Sequence, residues 1–249
     1  MSCRNTDPIR RTWIGRTSWE LRHRVAFTEC GTGRHTGRHA EEFNRRFHAT
    51  CGAWIRNFNS VAVAATNFHV DWIGDIGVTV CKAGTHGEGR AFDLSHIAST
   101  RSGFFIDTNT DWNPNHACRG LRQTRRYIAV AASLRRYVGT VLTGWYNADH
   151  QNHIHFDTGV PVLPIRRDAR TDTTLVQATC KYMNGEEGLA IDGEWGPATE
   201  RAYRRLRRAL GMQCRSPRRN VADARLFLQL IARNGMTGVE AGAAFPGPC

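Results

Sequence analysis

The chain has 249 residues, of which 41% are hydrophobic, enough for one large domain or two modest ones with a real core. No apolar run approaches the roughly 18 residues that a membrane-spanning helix needs, and the polar start Met1-Ser-Cys-Arg lacks the apolar stretch of a secretory signal. The formal net charge of +12 is carried almost wholly by arginine, since Lys82 and Lys181 are the only lysines; such a field favours polyanions such as nucleic acid, acidic lipid or the anionic polymers of a bacterial wall.

Residues 1–38 are rich in Arg, Thr and Gly and show little periodicity. They read as an N-terminal extension anchored by Trp13, Trp19 and Val25. From His39 to Phe58 the apolar residues Phe43, Phe47, Cys51, Trp54, Ile55 and Phe58 recur at helical spacing. Ser60 to Val80 reads as β-rich, broken by Gly74 and Gly77. Residues 86–93 then form a loop entering a strand, and 104–114 a loop with a strand-like start. Leu121 to Val138 predicts a second helix capped by Gly139, followed by a strand that carries three histidines, His150, His153 and His155. Together 39–165 are expected to form an α+β domain, a small antiparallel sheet with flanking helices. Pro161, Pro164 and the charged run after them suggest a linker at 166–171. Residues 172–249 predict a small bundle of three helices, at 173–183, 197–210 and 221–233, with Pro197 at a first helical position.

The eight cysteines, Cys3, Cys30, Cys51, Cys81, Cys118, Cys180, Cys214 and Cys249, contain no CxxC pair. An even count at wide spacing predicts disulfides and an oxidising compartment. Chain order suggests a Cys180–Cys214 pair.

Two clusters carry candidate chemistry. Residues 86–93 hold one histidine and one aspartate separated by small residues, and residues 150–157 hold the three histidines. Strand alternation puts His153 and His155 on one face. Two imidazoles and one carboxylate, with a fourth position open, are the ligand set of a catalytic zinc site. His86, Asp93 and His155 are therefore the expected ligands of one Zn2+, with His153 beside them as general acid/base and His150 positioning water or substrate. Asp149, Asp157 and Glu88 are carboxylates near enough in sequence to orient imidazoles. Arg90 and Lys82 are expected to bind a substrate carboxylate or oxyanion.

The segment His86-x-x-Gly89-x-Ala91-x-Asp93, followed by His153-x-His155, resembles the LAS-type zinc peptidases, among them D-alanyl-D-alanine carboxypeptidases, phage endolysin peptidases and murein endopeptidases. It is most similar to the extensin-like C-terminal family, in which a Cys and a basic residue precede the first cluster, as Cys81-Lys82 do here. Gly139-Thr-Val-Leu142 with Tyr146–Asp157 resembles that family's second motif, and the likeness spans about 80–158. The resemblance implies that His86, Asp93 and His155 are ligands and that His153 is catalytic. The chain departs from the pattern at Gly84, where a Ser is usual, and at Asn152, where many carboxypeptidases carry an acid. The second departure favours the endopeptidase pattern, in which histidines act as bases.

Farther on, Leu175-Val-Gln177 and Gly188-Leu-Ala-Ile-Asp-Gly-Glu-Trp-Gly-Pro-Ala-Thr199 are similar to the peptidoglycan-binding domain 1 family. That likeness implies a wall-docking module, with Asp192, Trp195, Arg204 and Arg208 as wall-binding residues. A basic face of Arg201, Arg204, Arg205, Arg207 and Arg208 would suit an anionic wall. The function expected is a monomeric, extracellular or wall-associated zinc peptidase that cuts a peptidoglycan stem or cross-link. A peptidoglycan-binding protein whose metal domain is structural or degenerate is the alternative. A basic nucleic-acid binder is disfavoured, because neither aromatic–basic interleaving nor a helix–turn–helix cue is present.

Overall fold

The segment that read as an aperiodic extension contains three strands. The computed structural model describes residues 4–27 and 34–238, and these begin with β1 (Pro8–Arg11), β2 (Glu20–Ala26), β3 (Arg34–Arg38) and β4 (Glu41–Asn44). Arginine hid the strand pattern. On β2 the buried positions are Leu21 and Arg24, and the Arg24 guanidinium is neutralised by Asp107 at 2.9 Å, 83 residues away in sequence. A buried charge is tolerated when paired in this way, and the two buried positions lie three apart because the pairing of β2 with β3 is irregular around Arg24, so no simple alternation marks the strand.

Helix α1 (Arg45–Thr66) follows β4. Asn44 caps it by accepting from the backbone N–H groups of Arg46 and Phe47, and Asn67 ends it in the left-handed region at φ 58°. The expected helix start at His39 and the expected strand from Ser60 are both corrected. Residues 41–44 pair with β1, and Val61 and Val63 continue the helix. Their β-propensity is a weak preference, overridden by an adjoining alanine-rich turn and by burial of Ala62 against the core.

The remaining strands are β5 (Trp72–Gly77), β6 (Ala91–Ser99), β7 (Gly103–Asp107), β8 (Thr140–Leu142) and β9 (Ile154–Asp157). β1 and β4 form a separate ribbon, and the main sheet has seven strands in the order β3-β2-β5-β6-β9-β8, with β7 also on β6. β6 is long enough to serve two partners along one side: residues 91–94 pair β9 and residues 96–99 pair β7. The sheet is mixed, because β2 runs parallel to β5. The molecule is thus α+β as expected, but the small antiparallel sheet is replaced by a larger mixed one.

Helix α2 (Leu121–Arg135) stops three residues before the expected end, with Arg136 as its cap. Gly139 has a different role from the one expected, since a Cβ there would lie 2.1 Å from the Val160 carbonyl oxygen. Close passage of two backbones requires glycine at that point. Helices α3 (Arg170–Met183), α4 (Pro197–Ala209) and α5 (Val221–Thr237) complete the fold. α5 lies along α2 so closely that a Cβ on Gly235 would meet the Arg125 carbonyl oxygen at 2.5 Å. A single buried apolar cluster extends from Ile14 on the N-terminal side to Met236 on α5. The 166–171 stretch is tied down: Arg166 N–H donates to Asp172, whose carboxylate also receives both arms of the buried Arg135 guanidinium at 2.7 and 3.1 Å.

Cys81, Cys118 and Cys214 are disulfide-bonded. Cys180 is a free, buried thiol on the inner face of α3, so the expected Cys180–Cys214 pair is not formed. Cys180 is one of the apolar core positions of its helix, where free cysteine packs as a small hydrophobe. Cys3, Cys30 and Cys249 lie outside the described residues.

One polar network inside the sheet sets a pH response. His35 Nε2 lies 2.9 Å from His96 Nδ1, and the fully buried His96 faces Asp107 at 3.4 Å. Burial, aided by the nearby His96 and Arg24 charges, pulls His35 down to about 3, and burial also lowers His96. Unfolded histidine titrates near 6.5, so on acidification the unfolded chain takes up protons before the folded one does. The stability tied to this pair is fully present above about pH 6.5 and is lost as pH falls toward the folded values. The urea midpoint should therefore drop between about pH 7.5 and pH 5, and the drop should be smaller in His35→Gln. An identical drop in both proteins would refute this assignment.

Candidate metal centre

The two sequence clusters meet in space because β6 and β9 are antiparallel neighbours. Asp93 and His155 are register partners, directly across from one another, and cross-strand partners put their side chains on the same face. His86 arrives from the loop between β5 and β6. That loop is tightly wound: a Cβ on Gly87 would fall 1.8 Å from the Lys82 carbonyl oxygen. Gly84 sits at φ +94°, a conformation that L side chains rarely adopt, which accounts for glycine where the resembled family carries serine.

His86 Nε2 lies 3.2 Å from His155 Nδ1 and 3.3 Å from an Asp93 carboxylate oxygen, and His155 Nδ1 lies 2.9 Å from that same oxygen. Zinc bonds of about 2.0–2.1 Å imply tetrahedral edges of about 3.3 Å, so the three atoms already stand at nearly the separations of three corners of such a site.

The far side of each imidazole decides what its near side offers. His86 Nδ1 lies 2.6 Å from the Val78 carbonyl oxygen, and His155 Nε2 lies 3.0 Å from an Asp157 carboxylate oxygen. Both partners are acceptors that can hold an imidazole proton, so each inward nitrogen can give up its own proton and offer a lone pair to a metal ion. Two ring nitrogens and a carboxylate oxygen face one point. Acidic or carbonyl partners behind a ligating histidine are a general feature of metal sites. The site is largely shielded, with both imidazoles buried and Asp93 partly so. Although burial opposes ionisation, hydrogen bonds from His155 and His86 hold the Asp93 carboxyl far below its usual range. His155 loses basicity to burial, but Asp157 and Asp93 more than offset this and push it up to about 9. The pocket thus demands one positive charge among three electron-pair donors.

His153 stands at the rim, its Nε2 3.5 Å from the Asp93 oxygen and its Nδ1 2.7 Å from Asn152 Oδ1. Asn152 cannot act as a base, but it fixes the orientation of the His153 ring. His150, in a short 3-10 turn (Ala148–His150), is hydrogen-bonded to Asn147 and lies 5.0 Å, ring to ring, from His153. Burial lowers both imidazoles, His150 to about 4.

The other expected site residues fall elsewhere. Lys82 is exposed on the loop. The Arg90 guanidinium is engaged with Glu88 and the Thr158 carbonyl oxygen, so Glu88 pairs with arginine instead of orienting an imidazole. Both line a cavity of about 850 Å³ together with Arg4, Asp7, Asn44 and Arg46. Asp149 is exposed. Of the three carboxylates expected to orient imidazoles, Asp157 alone reaches a candidate ligand, His155. The backbone carbonyl of Val78, which does the same for His86, has no side-chain signature and was not foreseen.

In the C-terminal helices, Asp192 accepts from Gln177 and from the Glu194 N–H, closing the turn before α4. Trp195 donates to Glu200, packs edge-on to Tyr203 and carries the Arg218 guanidinium over its ring at 5.6 Å. It borders a cavity of about 770 Å³ that also holds Arg166, Arg167, Arg218 and Arg219. Arg204 pairs with Glu200, Arg205 with Glu186, and Arg207 donates to the carbonyls that follow the helix, while Arg201 and Arg208 are exposed. The expected basic face is thus partly neutralised on α4.

No family model matches the chain, and no curated protein or solved structure does so either. The likeness to wall peptidases accordingly rests on the motif segments themselves. Among the described residues, no helix is long and apolar enough to cross a membrane.

Asp157→Asn tests the orientation argument. The amide keeps an acceptor oxygen but loses the charge that anchors the His155 proton. Metal affinity should fall by about 10–100-fold with the fold intact; unchanged affinity in a competition titration would show that Asp157 is incidental.

Proposed function

We propose that the chain is a zinc-dependent peptidase that hydrolyses an amide bond in the stem peptide or cross-link of peptidoglycan, working as an extracellular or wall-associated enzyme. The observation that carries the reading is the convergence of the inward ring nitrogens of His86 and His155 with the Asp93 carboxylate, at nearly tetrahedral spacing, each imidazole held from behind. Two nitrogens and one oxygen suit zinc.

When bound, zinc supplies Lewis acidity for the scissile carbonyl and makes a water acidic enough to ionise near neutral pH. His86, Asp93 and His155 would hold it and leave one side open. His153, at the rim with its Nδ1 occupied by Asn152, keeps Nε2 for a proton taken from the attacking water and returned to the leaving amine. His150 flanks that path. The helical C-terminal part would dock the enzyme on its polymer and raise the local substrate concentration. The cleft beside Trp195 brings together Arg166, Arg167, Arg218 and Arg219 with Asp168 and Glu194, and Arg167 and Arg219 are the arginines there that would meet an acidic wall peptide.

The test is a digest of purified sacculi by the zinc-loaded protein, with new amino termini counted and fragments weighed by mass spectrometry. Release of stem-peptide fragments that stops on chelation and returns with zinc is expected. Zinc-loaded protein that binds sacculi without releasing amines would instead favour the binding-protein reading.

A further inference from the structure

A second group of metal-binding side chains lies on the N-terminal part of the sheet. His23 is on β2, Glu41 on β4, and His39 on the turn between β3 and β4. One ligand atom from each falls within 4.8 Å of the others. The backbone fixes this meeting: the His39 N–H donates to the Leu21 carbonyl oxygen, and the His23 N–H donates to Thr36 Oγ1. The His23 and His39 ring centroids are 5.3 Å apart.

Behind His23 stands Asp75, its register partner on the parallel strand β5. His23 Nδ1 lies 2.8 Å from Asp75 Oδ1. The Asp75 side chain is fully buried, and its second oxygen has no hydrogen-bond partner. A buried carboxylate holding one ring nitrogen turns the other outward as a ligand, the arrangement in which histidines commonly bind metals. His39 Nε2 and Glu41 Oε1 share a proton at 2.9 Å, and a cation would take that proton's place. His23 and His39 are about one-third exposed and Glu41 less so, so an ion has access from solvent and room for water ligands. The two carboxylates have histidines as partners, His23 for Asp75 and His39 for Glu41, so their charge is offset by a protonated imidazole or by a cation in its place. Burial raises both Glu41 and Asp75, and the Asp75 charge adds to the rise of Glu41.

We infer that His23, His39 and Glu41 form a second binding site for a divalent first-row transition ion, oriented by Asp75. The nitrogen-and-carboxylate set and the absence of thiolate select zinc or a similar borderline ion over calcium or magnesium. Bound there, the ion ties the β3–β4 turn to β2 and stabilises the N-terminal edge of the sheet.

Metal content separates this site from the first. The full-length protein, saturated with zinc and desalted, should retain close to two equivalents by elemental analysis. The double variant His39→Gln/Glu41→Gln should lose one equivalent, and His86→Gln should lose the other. A single equivalent that only His86→Gln removes would overturn the second site; a single equivalent that only the double variant removes would support it while sinking the proposed catalytic centre. The imidazole proton resonances of the wild-type protein give a readout that does not depend on the fold of the double variant. Those of His23 and His39 should shift on zinc addition, and unshifted resonances at saturating zinc would overturn the site.

Discussion

Replacing His155 by Ala is expected to abolish zinc binding at the primary centre and to reduce amide hydrolysis by at least about a thousandfold, since the substitution removes both the electrophile and the acidified water. His155 touches the account at two points. Its Nδ1 is a proposed zinc ligand, and its Nε2 is hydrogen-bonded to Asp157. The substitution also leaves Asp93 and Asp157 without their shared imidazole. The two carboxylates then lose the positive charge that offset them, so some stability should be lost as well, and retention of the fold is checked by circular dichroism before turnover is compared. The expected pattern is therefore loss of metal and of turnover with sacculus binding retained, read by elemental analysis, amine release and a pull-down on insoluble wall. Retained turnover in a protein that has lost the metal would remove zinc from the mechanism.

Asp172→Ala is expected to cost about 3–5 kcal/mol of stability, the range for removing one partner of a buried ion pair. Asp172 is 2% exposed, and it receives both arms of the buried Arg135 and the Arg166 N–H. Without it, a guanidinium remains buried on α2 with only the Val138 and Leu163 carbonyls for company. The same contacts pin the start of α3 to α2, so α3 should loosen along with the global loss. Chemical denaturation would measure the loss. A change below about 1 kcal/mol would mean that water reaches the pair.

The primary site was legible in sequence because its grammar is local. His86 and Asp93 flank a glycine-rich turn, while the expected three-histidine strand begins only at Ile154, so that it carries His155, with His153 just before it and His150 in a 3-10 turn. What sequence could not supply was the antiparallel register that sets Asp93 opposite His155, or the Val78 carbonyl behind His86. The second group was illegible for a related reason. His23 and the His39–Glu41 pair are sixteen residues apart in an arginine-rich segment, and Asp75 joins them only through a parallel strand pairing. The same arginines concealed β2, whose inward Arg24 carries a charge that Asp107 cancels. Cys180 misled in the opposite direction: a thiol at a core position of α3 was read as a cross-link because a second cysteine lay conveniently downstream. On α4 the arginines were visible, but their acidic partners Glu186 and Glu200 were not.

Anomalous diffraction collected on either side of the zinc absorption edge, from crystals grown with the ion, tests the central claim most directly. The account predicts a peak about 2.0–2.1 Å from His86 Nε2, His155 Nδ1 and an Asp93 carboxylate oxygen. A map with no peak between those three atoms, at zinc concentrations that fill other sites on the same chain, would contradict it.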